Sequence, residues 1–177
     1  MILSNLTIVP EVYGEILQEC VNEKNLSLGR QIHALIAKNG SYYAKNSYIE
    51  TKLVVFYSKC GSSADAEGCF GRLKAKNPYS FAAIIGARVK QKRNVEALQG
   101  FCEMLGNGIV ADNYVLPTVL NACAALQLSW CGRAGHGHAL KLGYAGCLFV
   151  CSSLLDMYCK CGFLCDARKV FDKMPDR

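Results

Sequence analysis

The chain repeats itself at long range, and that self-similarity confines it to a small set of architectures. Tyr57-Ser58-Lys59-Cys60-Gly61 returns 101 residues later as Tyr158-Cys159-Lys160-Cys161-Gly162. Ile16-Leu17-Gln18-Glu19-Cys20 returns 103 residues later as Val119-Leu120-Asn121-Ala122-Cys123. Gly29-Arg30, His33 and Lys38-Asn39-Gly40 return at the same 103-residue shift as Gly132-Arg133, His136 and Lys141-Leu142-Gly143. Three matches in one order at nearly one shift are not chance. The small change of shift falls between Gly40 and Asn46, where the first copy has the longer turn.

A period this long must subdivide, and helical punctuation divides it. Leu53, Phe56, Tyr57 and Cys60 fall on one face of a helix, and Gly61 ends it. Ser62 with Asp65 three residues on resembles a capping box for the next helix, which turns Ala66, Cys69, Phe70 and Leu73 inward. The following unit repeats the plan: a helix from about Tyr79, a break near Asn94, then Ala97, Leu98, Phe101 and Met104 inward. Five such helix pairs are expected, at 10–46, 47–77, 78–112, 113–147 and 148–177, hence about ten helices. One pair cannot bury its apolar face alone, so neighbours must stack as an α-solenoid.

Composition agrees with an ordered chain: 51% of residues are hydrophobic and 19% are charged. The formal charge of +6 is spread evenly, ten basic and seven acidic residues lying on each side of the Val89–Lys90 bond. An even basic balance suits a polyanion and excludes a basic tail. No apolar run is long enough to span a bilayer, so no membrane partner is expected. The stretch from Met1 to Pro10 resembles neither a secretory signal nor an organelle leader. That leaves a cytosolic protein or a missing true N-terminus. Eleven cysteines without a signal peptide point to free thiols in a reducing compartment. Cys20, Cys60, Cys69, Cys102 and Cys123 lie in apolar helical stretches, where a thiol is expected to pack as a small hydrophobe.

These units resemble a known family. Phe81-Ala82-Ala83-Ile84-Ile85 with Glu96-Ala97-Leu98, Phe101, Glu103-Met104, Gly108-Ile109 and Asp112 is similar to the pentatricopeptide motif. Leu154 to Gly162, then Asp166 to Asp172 and Met174-Pro175, resembles its short variant, and Val119 to Gly143 its long one. The resulting order is long (10–46), short (47–77), standard (78–112), long (113–147) and short (148–177), with 1–9 resembling the tail of an earlier motif. Both ends look cut. That alternation is similar to the plant PLS subclass, whose members mostly specify cytidine-to-uridine editing sites in organelle transcripts. The resemblance implies a right-handed all-α solenoid that binds single-stranded organelle RNA. It implies a chloroplast location, or else a mitochondrial one, with the targeting peptide outside this chain. It implies no cofactor, and editing cofactor proteins or a deaminase supplied in cis or in trans.

The resemblance assigns base reading to the fifth and last residues of each motif. Carried over, these are Gly14 with Asn46, Thr51 with Asn77, Ala82 with Asp112, and Pro117 with Cys147, and then Ser152 with a partner beyond Arg177. Thr51 offers a hydroxyl and Asn77 an amide, a pair the family implies to favour adenine. Ala82 leaves Asp112 to discriminate alone, and a carboxylate leans towards G or U. The long motifs, with Gly14 or with Pro117 and Cys147, look like poor readers. Lys52, Lys59, Lys90 and Lys160 are candidate phosphate contacts. Against each assignment stands an ordinary alternative: Asn and Thr cap helices, and lysines solvate surfaces.

Other chemistry is missing from the sequence. His136-Gly137-His138 could suggest zinc, but no CxxC pair exists. Cys147/Cys151 and Cys161/Cys165 read as neighbours on one helix face packed in the core. His33 and His136 share one repeat position and read as scaffold. The deaminase signature, phosphate loops and nucleophile elbows are absent, so the chain is not expected to be an enzyme. The rival reading is a protein-binding scaffold of the tetratricopeptide kind, whose Trp and Pro landmarks are lacking here.

Overall fold

A computed structural model describes residues 9–40, 43 and 45–174. The segment 1–8, the turn residues Ser41, Tyr42 and Ala44, and Pro175 to Arg177 lie outside the described residues. All regular structure among the described residues is helical: ten α-helices and one short 3₁₀ turn, Tyr144–Gly146. In chain order the helices are α1 (Pro10–Asn22), α2 (Leu26–Lys38), α3 (Ser47–Lys59), α4 (Ser63–Arg72), α5 (Pro78–Lys90), α6 (Asn94–Gly106), α7 (Val115–Leu126), α8 (Ser129–Lys141), α9 (Leu148–Lys160) and α10 (Leu164–Asp172). No described helix is long and apolar enough to cross a membrane.

The chain forms two compact units, 1–87 and 88–177. In the first, α1 packs on α2, α3 packs on α4, and α3 also lies against α1 and α2. In the second, α7 packs on α6 and α8, and α9 packs on α7, α8 and α10. Each unit therefore buries its apolar faces by stacking one helix pair on the next. The core residues follow the helical period. Leu53, Phe56, Tyr57, Ala66, Cys69, Phe70 and Leu73 are buried, as are Ala97, Phe101 and Met104. Leu98 is half-buried rather than inward.

Two devices recur at the repeat shift. Gly61 and Gly162 close α3 and α9 with φ of 83° and 81°, a left-handed conformation that glycine adopts without strain. Gly29 and Gly132 let α2 and α8 approach closely: a Cβ there would come within 2.6 Å of Phe56 Cε1 or Met157 Cε. Cross-helix polar contacts recur with them. His33 Nδ1 lies 2.8 Å from the Tyr57 hydroxyl, and His136 Nδ1 lies 2.9 Å from that of Tyr158. Burial lowers the pKa of both imidazoles and pushes the Tyr57 phenol up to about 12, so these pairs remain neutral near pH 7. Both histidines hold helices together.

The Ser62–Asp65 pair is not the expected capping box. Ser62 Oγ donates to Asp65 Oδ2 at 2.7 Å and caps no backbone N–H. The reason sits on α2: Arg30 Nη2 donates to the same carboxylate oxygen at 2.8 Å and ties it from one helix pair to the next. Arg133 and Asp166 make the same bridge at 2.8 Å between α8 and α10. Hydrogen bonds from Ser62 and then Arg30 hold the Asp65 carboxyl below its ordinary value of 3.8. A depressed carboxylate pKa contributes stability above the unfolded value and loses it as pH falls through the folded one. Asp65→Asn should therefore melt earlier than the parent chain at pH 7, by at most about 1 kcal/mol for so exposed a pair. The gap should be narrower at pH 3, below the carboxyl's ordinary value of 3.8, where protonation begins to release the clasp. Thermal melts at both pH values check this, and an equal gap at both would remove the carboxylate from the clasp.

Cysteine placement needs correction. Cys20, Cys69, Cys123 and Cys151 are buried, but Cys102 and Cys165 are exposed and Cys60, Cys147 and Cys161 only half-buried. Cys102 follows the buried Phe101 on α6, and one helical step turns it to solvent. Cys147 and Cys161 lie at helix ends, flanking α9, rather than on a core-facing stripe.

Candidate nucleic-acid interface

The structure brings Thr51 and Asn77 into direct contact. Asn77 Nδ2 donates to Thr51 Oγ1 at 2.8 Å, while the Thr51 hydroxyl donates to the Ser47 carbonyl at 2.7 Å. Asn77 also starts α5: its Oδ1 accepts from Ser80 N at 3.0 Å, and Ser80 Oγ answers by accepting from Asn77 N at 3.0 Å. The reading candidate is thus a helix cap at the same time. Counting valences shows what remains. Thr51 has spent its only proton, and Asn77 keeps one amide N–H unspent.

The same double duty recurs. Asn46 Oδ1 caps α3 by accepting from Tyr48 N at 3.0 Å and Ile49 N at 3.2 Å. Asp112 Oδ1 accepts from Tyr114 N at 3.0 Å and Val115 N at 2.8 Å at the start of α7. Capping consumes the acceptor oxygen in each case. An asparagine is then left with amide donors, whereas an aspartate keeps a second carboxylate oxygen as an acceptor. These leftovers are opposite in kind, and they match opposite base edges.

The other candidates stand as follows. Gly14 is buried on α1, with the Tyr48 ring in the space a side chain would take. Ala82 is half-buried on α5 and Pro117 half-buried on α7. Pro117 is the third residue of its helix, where the missing N–H would have had no intrahelical partner. Cys147 precedes α9 without a side-chain cap, and Ser152 is exposed on α9. Lys59, Lys90 and Lys160 are each the last residue of their helix, where a cation also complements the helix dipole. Lys160 Nζ is paired with Asp156 Oδ2 at 2.7 Å, and Lys52 Nζ lies 5.7 Å from the centre of the Tyr48 ring.

Thr51 and Asn77 line a groove of ≈ 610 Å³ with Tyr48, Lys52 and Tyr79. Those tyrosines were missed by sequence reasoning, although a signal was there. Tyr48, Tyr79, Tyr114 and Phe149 recur at spacings of 31, 35 and 35 residues, each at the start of the first helix of a pair. Their exposures are 42%, 75%, 77% and 73%, so large aromatic faces stand in solvent at a repeating position. Exposed rings at a fixed register can stack on flat, apolar partners such as nucleobases.

The histidines of the His136-Gly137-His138 run have other partners. His136 is committed to Tyr158, while His138 packs edge-on against Phe101 with ring centres 6.3 Å apart. Among the described residues no three His, Cys, Asp or Glu side chains converge on a metal site.

The family model "PPR repeat" matches residues 149–177. A chloroplastic pentatricopeptide repeat-containing protein of Arabidopsis thaliana is 56% identical over 173 residues, 98% of this chain and 21% of that protein. A second chloroplastic one from Arabidopsis thaliana is 36% identical over 100% of this chain and 28% of its own length. A mitochondrial one is 35% identical over 93% of this chain and 16% of its own. This chain therefore spans about a fifth of the curated relatives it matches. The crystal structure of the maize pentatricopeptide repeat protein PPR10 covers 93% of this chain, itself matched over 24%, with a TM-score of 0.69 at 19% identity. That likeness shows the fold: an all-α solenoid of stacked helix pairs.

Proposed function

This chain belongs to the pentatricopeptide repeat family, and we propose that it binds single-stranded RNA and reads individual bases along its helix pairs. The observation that carries the reading is the Thr51–Asn77 hydrogen bond on the groove between Tyr48 and Tyr79. Each base would stack on exposed rings and offer its edge to the side chains left over from capping. At this pair the remaining Asn77 N–H meets the N1 acceptor of adenine, and the one lone pair that Thr51 has left accepts from its amino group. At Asp112 the spare oxygen suits the ring N–H of guanine or uracil. Gly14 with Asn46 and Pro117 with Cys147 are assigned weaker reading, and Ser152 would read with a partner beyond Arg177. Lys59 and Lys90, and Lys160 if it leaves Asp156, would hold phosphates.

Within the larger protein, the role proposed is to specify a site in a chloroplast transcript for cytidine-to-uridine editing. The deaminase would be supplied outside this stretch, in cis or in trans, with editing cofactor proteins. The chloroplastic relative at 56% identity supports the compartment, and the long–short–standard order of the units supports the subclass.

Binding should require unpaired bases. The chain is expected to hold a single strand and release the same sequence once its complement is annealed. With about three phosphate contacts, affinity should fall about tenfold or somewhat more between 50 and 200 mM salt. A fluorescence-anisotropy titration of both forms measures this. Equal binding of duplex and single strand would reject base reading.

A further inference from the structure

We propose that Tyr48 reads the base assigned to the first helix pair, standing in for the side chain that Gly14 lacks. The assignment rests on the RNA-binding reading above and adds to it a residue outside the fifth-and-last pairing.

Gly14 faces α3, and a Cβ at this position would lie 2.6 Å from Cε1 and 2.7 Å from Cζ of Tyr48, against its hydroxyl oxygen. Real carbon contacts are never so short. A side chain at residue 14 would force the ring to shift, so the glycine and the tyrosine form one arrangement. The ring therefore lies where the fifth residue of the first pair would have projected.

Tyr48 also differs from its repeat equivalents. Tyr79, Tyr114 and Phe149 stand about three-quarters exposed, whereas Tyr48 leans down to 42%. Lys52 Nζ sits 5.7 Å from the centre of its ring. A ring with one face under an ammonium and its edge against α1 is a poorer stacking platform than the other three. Its hydroxyl has no hydrogen-bond partner among the described residues and can both donate and accept.

Asn46 completes the site. Its Oδ1 is taken by the Tyr48 and Ile49 N–H groups, which leaves the Nδ2 donors for a ligand. The first pair thus offers an amide donor and a phenol in place of an amide and a glycine. The tyrosine ring occupies room that a small fifth residue would leave empty, so the smaller base class, a pyrimidine, fits.

The test uses this chain and four RNAs that differ only at the nucleotide beside the one assigned to Thr51 and Asn77, on the side of the first pair. The parent chain should prefer pyrimidines there. Tyr48→Phe keeps the ring and its packing while removing the hydroxyl, and it should flatten that preference about fivefold or more. Discrimination at the Thr51–Asn77 nucleotide should not change. Tyr48→Ala should admit purines, with circular dichroism showing that helix content is kept. If Tyr48→Phe discriminates as the parent does, or the parent shows no preference at that nucleotide, Tyr48 is not a reader. If discrimination at the Thr51–Asn77 nucleotide survives in that case, only the Tyr48 assignment falls. If the parent binds no single strand, RNA reading falls with it.

Discussion

Replacing Phe56 with alanine is expected to destabilise the first unit by about 3–5 kcal/mol, a large share of what a domain of this size possesses. The ring is fully buried on α3 and fills the gap opposite Gly29 on α2. It also lies 4.8 Å, centre to centre, from the Tyr57 ring that bonds His33. Truncation leaves a cavity that α2 cannot fill, because its closest residue has no side chain to move in. The cost should therefore fall near the upper end of the range. Tyr79→Ala is the matched control: an aromatic residue of similar size, three-quarters exposed, whose loss should scarcely change stability. Urea melts followed by far-ultraviolet circular dichroism compare the two. A cost below about 1 kcal/mol for Phe56→Ala would mean that α2 and α3 are not held by this contact.

Asn77→Asp should move the preferred base at one nucleotide from adenine towards guanine and leave its neighbours alone. Aspartate caps a helix as well as asparagine does, so α5 should start where it does now. What changes is the leftover. The amide N–H that would meet adenine N1 is replaced by a carboxylate oxygen that can only accept. Loss against the original RNA should be about 1–3 kcal/mol, roughly 5- to 150-fold in affinity. Cys147→Ser, at a pair proposed to read weakly, should change little. Binding of both variants to four RNAs differing only at the assigned base decides the matter. Equal weakening across all four would leave Asn77 as a cap and nothing more.

Much of the architecture was legible because its signals are local. Gly61 and Gly162 end helices through φ, and Pro78 begins one where it loses no hydrogen bond. The apolar spacing of Leu53, Phe56 and Tyr57 names the buried face of α3. Errors arose where a residue's partner lies on another helix. Ser62 and Asp65 have capping-box spacing, yet Arg30, 35 residues earlier in the chain, decides where the carboxylate points. Cys102 has the composition of a core residue but sits one step past Phe101 and faces water. At the candidate site, the Thr51 and Asn77 positions came from resemblance, and their bond to each other is visible only in space. The exposed aromatics were overlooked because a tyrosine beside apolar neighbours reads as core. Their recurrence would have been the better guide.

One side chain serving two masters would limit how the proposed recognition surface can evolve. Asn46, Asn77 and Asp112 hold helix starts with one oxygen of the same side chain whose remaining polar group is the proposed reader. A substitution that alters what is read must still satisfy an exposed backbone N–H, or the helix frays at its first turn. The vocabulary open to mutation at these positions is therefore the short polar set that nature uses to begin helices. Swaps between asparagine and aspartate are cheap, and they invert donor and acceptor in a single step. Drift to a large or apolar residue is resisted by folding alone.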